Sequence, residues 1–179
     1  MSEHEETLKI PFVAKPLDFD AIAEARRQWH DRWPDASTSM AMATAAMRAQ
    51  QIVLSSVDGV LRPLGLTFAR YEALVLLSFT HSGQLPMGKM GSRLMIHPTS
   101  VTNIVNRLCD DGLVTRSEHP EDGRSTLVRL TAKGRRLGER ATKAVNEIHF
   151  GIAGLSDAEQ NRFVEIVRTL RLEAGDFSD

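Results

Sequence analysis

The chain has a single cysteine, Cys109, among its 179 residues, so it cannot form an internal disulfide, and no Cys-x-x-Cys pair offers a zinc framework. The histidines His30, His81, His97, His119 and His149 are scattered rather than set at metal-ligand spacing, so neither a metal site nor a cofactor is expected. No apolar run approaches the roughly 20 residues that cross a bilayer. The start, Met1-Ser2-Glu3-His4-Glu5-Glu6, is acidic, with no basic segment leading into an apolar one. The expectation is a cytoplasmic protein with no membrane contact. A Gly-x-Ser-x-Gly turn, a phosphate-binding glycine loop and a His-Glu-x-x-His pair are also missing, so no catalytic residue is assigned and an enzyme is the least favoured class.

An excess of charge of one sign is lacking as well, the formal net being −1, but that average conceals a gradient. Residues 84–136 carry nine Lys and Arg against five Asp and Glu, whereas the segments on either side are net acidic. A basic middle between acidic flanks is a modest footprint for a polyanionic partner.

What is present is mostly helical periodicity. Residues 1–17, with Pro11 and Pro16, read as an irregular arm. Phe19, Ile22, Ala23, Arg26, Trp29 and Trp33 fit a short helix with both tryptophans on one face, stopped by Pro34. A long Ala- and Met-rich helix follows over 37–61, with Met40, Ala43, Met47, Val53, Leu54 and Val57 at helical spacing. It is apolar on more than one face, which calls for a second subunit as cover. The segment 18–63 is therefore read as a dimerisation region, together with 137–179.

Between them, residues 64–136 have a denser pattern. Thr67 is placed to cap a helix from Phe68 to about Phe79, and a second, short helix runs from Met87 to Met95. Pro98 opens a third at the position where its missing N–H costs nothing. That helix runs to Asp110 with Val101, Ile104, Val105 and Leu108 inward, which leaves Thr99, Ser100, Thr102, Asn103, Asn106 and Arg107 on its other faces. The period then changes from 3.6 to 2 over Leu113–Glu118 and again over Thr126–Leu130, predicting two short strands around a turn from His119 to Ser125. Three helices followed by such a hairpin make a mainly α fold with a small β-hairpin wing, a winged helix-turn-helix. In that geometry the third helix enters the major groove of duplex DNA. Pro98, Thr99, Ser100, Thr102, Asn103 and Arg107 then meet bases and phosphates, with first-turn N–H groups free for a phosphate. At the wing tip Arg124, braced by Asp122, would enter the minor groove. Beyond the wing, Thr131 is placed to cap another helix, and Ser156 and Glu159 have capping-box spacing for a last one.

The run Asp122-Gly123-Arg124-Ser125-Thr126-Leu127-Val128-Arg129-Leu130-Thr131-Ala132-Lys133-Gly134 resembles the signature Asp-x-Arg-x-x-x-x-x-Leu-Thr-x-x-Gly of the MarR family of bacterial regulators, and the upstream helices are similar in order and spacing. The resemblance spans about Ser37 to Leu172. It implies a homodimer whose N- and C-terminal helices interlock, a palindromic operator with half-sites about one DNA turn apart, and repression relieved by a small-molecule effector, aromatic or anionic, between the dimerisation helices and the winged domain. Trp29, Trp33, Met47, Arg62, Phe68, Tyr71 and Glu72 lie on segments that would line that crevice, although apolar side chains at helical spacing are more often core. The extra helix with Trp29 resembles the family's urate-responsive and PecS-like branch, but Ile104 stands where that branch has arginine. His97 likewise stands where such recognition helices commonly begin with a Ser cap. The alternatives are a winged helix used for protein contacts and a redox- or metal-responsive regulator, although Cys109 does not match the position of sensing cysteines.

Overall fold

The computed structural model describes residues 16–119 and 122–178. The arm read over residues 1–17 therefore lies almost entirely outside the described residues, as do Pro120 and Glu121 of the wing tip. Among the described residues seven α-helices and three strands follow in chain order, with three short 3-10 turns between them: α1 (Ala21–Arg32), α2 (Ser37–Leu61), α3 (Phe68–Ser78), β1 (Gln84–Pro86), α4 (Met87–Leu94), α5 (Pro98–Asp110), β2 (Val114–His119), β3 (Asp122–Leu130), α6 (Ala132–Glu147) and α7 (Asp157–Glu173). Among the described residues no single helix is long and apolar enough to cross a membrane.

Local chemistry accounts for most element ends. Asp20 caps α1 by accepting from the backbone N–H groups of Ile22 and Ala23, and Ser156 and Glu159 close a reciprocal capping box on α7. Thr67 occupies the N-cap position of α3 but makes no side-chain cap. Asp58 does so instead: its Oδ1 accepts from Phe68 N at 3.0 Å. That bond comes from the preceding helix, ten residues back, and i-to-i+3 capping rules cannot see it.

The sheet is larger than a hairpin. Its strand order is β1-β3-β2, all antiparallel. Strand β1 pairs Leu85 with Val128, and Leu130 N donates to Gly83 O at 2.8 Å. Three residues containing a proline carry too little period-2 signal to read as a strand, which is why β1 is invisible in the sequence. Strand β3 also begins at Asp122 rather than Thr126 and β2 runs to His119, so His119 and residues 122–125, expected in the turn, belong to the strands. Cross-strand pairing extends through polar residues that have no apolar face to announce them.

The core sits where α3, α5, α6 and the sheet meet the C-terminal end of α2. Val57, Leu61, Leu74, Leu77, Met90, Val105, Leu108, Val128 and Val145 are essentially inaccessible, each contributing about 1.5–3 kcal/mol by the usual scale of apolar burial. The two ends of the chain contrast with this. No residue of α1 or α7 is buried, and Phe163, Ile166 and Leu170 on α7 are each about half exposed.

Candidate nucleic-acid interface

The candidate reading helix is fixed from below. Val101, Val105 and Leu108 bury one face of α5 in the core, which turns Thr99, Ser100, Asn103 and Arg107 outward, all four exposed. Pro98 is also exposed at the first position. Thr102 differs: it is half-buried, and its hydroxyl donates to the Pro98 carbonyl at 3.2 Å.

The first turn of α5 departs from expectation. Thr99 N donates to the His97 ring at Nδ1 (3.3 Å) and Ser100 N to His97 O (2.9 Å), so these N–H groups are already partnered rather than free for a phosphate. His97 is the cap that replaces Ser, with extended backbone and an acceptor nitrogen in place of a hydroxyl oxygen. An accepting Nδ1 carries no proton, which puts the ring hydrogen on Nε2.

The wing stands beside this helix. Arg116 on β2 donates through Nη1 to Asn106 Oδ1 on α5 at 2.8 Å, tying the base of the hairpin to the reading helix. This pair was missed in the sequence because it joins residues on different elements, although both types are common in polar interfaces. Asp122 and Arg124 lie at the start of β3, across the two-residue gap from His119. The expected contact between their side chains lies outside the described residues, as does Glu121.

Behind the wing the signature residues have a clear structural use. Thr131 caps α6 by accepting from Gly134 N at 2.9 Å, and its hydroxyl hydrogen points to the carbonyls of Gly112 and Leu113. Gly134 lets α6 press against the Leu113 backbone, where a β-carbon would collide with the carbonyl oxygen. The Leu-Thr-x-x-Gly pattern thus joins the end of the reading helix, the wing and α6. Arg70 adds a second tie: it is mostly buried, donates to Gly65 O, and forms an ion pair with Asp111 at the end of α5.

The residues expected to line an effector crevice are dispersed in one chain. Trp29 on α1 and Trp33 just past its end meet with their rings tilted, centroids 4.8 Å apart, both exposed. Met47 is 66% exposed on α2, and Arg62 is exposed just beyond that helix. Phe68 and Tyr71 approach each other at 6.3 Å, but Tyr71 is buried as part of the core. Glu72 is half-buried, and that burial holds its carboxyl above the usual glutamate range. The groove of about 820 Å³ between α1 and α2 contains Arg26, His30 and Met42, and none of these seven residues. Cys109 is partly buried on α5 and free, and the described residues contain no cluster of three or more His, Cys, Asp or Glu able to hold a metal.

Residues 66–126 match the MarR family. The chain is 51% identical to Sco5413, a MarR family transcriptional regulator from Streptomyces coelicolor, over 79% of its own length and 99% of that chain, with a TM-score of 0.73. It is 29% identical to the HTH-type transcriptional repressor IacR of Pseudomonas putida, over 63% of this chain and 68% of that protein. Sco3205 from Streptomyces coelicolor, solved in complex with DNA, shares the fold at a TM-score of 0.69 and 23% identity, covering 77% of this chain and 90% of that one.

Proposed function

This chain belongs to the MarR family and is a transcriptional regulator, and from that premise we propose that it is a homodimeric repressor of a palindromic operator, released by a small aromatic or anionic effector. The observation that carries the reading is the outward polar face of α5. Thr99, Ser100, Asn103 and Arg107 are exposed on a helix whose opposite face is locked into the core. In the major groove such side chains pair with base edges and phosphates, while Arg124 reaches the minor groove from the wing. Pro98, Thr102 and Asp122 support this contact as helix start, first-turn brace and arginine partner. The IacR relative is a repressor by name, which favours that sign of regulation. The unburied apolar faces of α1, α2 and α7 favour a second copy as their cover. In the dimer the crevice beside Phe68 and Glu72 would be completed by the partner's helices, giving the effector a place to loosen the winged domains.

The test is selection of bound duplexes from genomic DNA, followed by affinity measurements at several salt concentrations. Strong salt dependence is expected, and Arg124→Ala should weaken binding of every duplex without unfolding the protein. Exchange of both Thr99 and Asn103 for alanine should instead change sequence preference. Absence of salt-sensitive binding to any duplex would replace the reading with that of a protein-interaction module.

A further inference from the structure

A groove of about 770 Å³ lies between the start of α3, the end of α5 and the first turns of α6. Its walls carry four cations, Arg70, Lys133, Arg136 and Arg140, against the carboxylates of Asp110 and Asp111. Asp111 is already committed, its carboxylate to Arg70 and its backbone carbonyl to Lys133 Nζ at 2.8 Å. Arg136 and Arg140 are exposed and pair with no carboxylate among the described residues.

This placement is unfavourable without a counter-ion. Lys133, Arg136 and Arg140 follow one another at i, i+3 and i, i+4 spacing, so like charges are neighbours on one helix face. Lys133 and Arg136 also sit near the positive end of the α6 dipole, whose first turn has no acidic residue. Glu139, the nearest acid on the helix, opens into a different cavity, against α3. Leu64 and Leu137 supply an apolar side to the same groove, more than a bare inorganic ion would use.

We propose that this groove binds a phosphate-bearing small molecule with an apolar body, the phosphate held by Lys133, Arg136 and Arg140 and the body lying on Leu64 and Leu137. The bound phosphate competes with Asp111 for Arg70 and Lys133, and so acts on two of the contacts that hold the C-terminal end of α5. The groove contains none of the seven residues expected at the effector crevice. Binding itself is independent of the duplex reading, so the two can fail separately.

The experiment is calorimetric titration of the full-length protein with phenyl phosphate at fixed ionic strength, without DNA. Saturable binding of one molecule per chain is expected, weakened at least tenfold by the surface substitutions Arg136→Ala and Arg140→Ala together, with an unchanged melting temperature. Asp111→Asn should tighten binding severalfold by removing the competing carboxylate. Because that variant loses a partner of the mostly buried Arg70, the Arg136/Arg140 pair keeps the test decisive should Asp111→Asn not fold. Absence of saturation, or binding that ignores the Arg136/Arg140 substitutions, overturns the proposal. If those substitutions leave phenyl phosphate binding unchanged but lower the salt slope of duplex binding, the cations serve the DNA backbone and the small-molecule site is refuted.

Discussion

Gly134 in the first turn of α6 lies directly against the backbone carbonyl of Leu113, at the root of the wing, closer than any β-carbon could approach. The contact is held in place by Thr131, whose hydroxyl faces the carbonyls of Gly112 and Leu113 while it caps the same helix. One glycine and one threonine therefore set the position of α6 relative to the reading helix and the hairpin.

Gly134→Ala is expected to destabilise the fold by at least the roughly 1–3 kcal/mol usual for overpacking, because the obstacle is backbone rather than a side chain that can rotate away. Urea denaturation followed by circular dichroism measures this. A variant as stable as the parent would show that α6 can retreat from the wing at little cost.

His97→Ala removes the acceptor for Thr99 N and should cost about 1 kcal/mol, whereas His97→Asn or His97→Ser, both good cap residues, should restore most of it. Thermal melts of the three variants check the order. Equal stability of Ala and Ser variants would mean that the 3.3 Å ring contact contributes nothing.

The sequence makes the helices and the capping residues Thr131 and Ser156 legible, because their signals are local: a 3.6-residue stripe and a polar side chain three residues ahead of the N–H it serves. The outward set on α5 follows from the same periodicity and is exposed, except that Thr102, bonded to Pro98, and Asn106, bonded to Arg116, are half-buried. What stays hidden joins distant positions. Asp58 capping α3, Arg116 reaching Asn106, Arg70 pairing with Asp111 and β1 adding to β3 all depend on tertiary placement that no window of neighbouring residues encodes. The first-turn N–H groups of α5 looked free because His97 is a rare cap, not because the geometry is unusual.

Helix α7 has no fully buried residue within its own chain, and a helix with so little cover draws its stability mainly from what packs on its apolar face. Phe163, Ile166 and Leu170 recur along α7 at i, i+3 and i+7 spacing and are each about half exposed. On the proposed homodimer, Ile166→Glu combined with Leu170→Glu should leave only monomer in sedimentation or light-scattering measurements and reduce duplex affinity by losing the second half-site. A dimer that survives both charges would place the interface elsewhere.

The half-buried Glu72 gives a pH signature that isolates one side chain. Burial raises its carboxyl above the usual glutamate value, so the folded state binds its proton more tightly than the unfolded chain does. Wild-type stability from this group is therefore greatest at acid pH and falls as pH rises through the unfolded and then the folded value, the full cost being present above the latter. Glu72→Gln keeps the shape without the charge and should raise the urea midpoint at pH 7, the gain closing as the pH is lowered through the ordinary glutamate range. If the gain stays constant with pH, it comes from packing rather than from desolvation of the carboxylate. A loss at pH 7 would mean that the ionised Glu72 has a favourable partner, such as one supplied across the dimer.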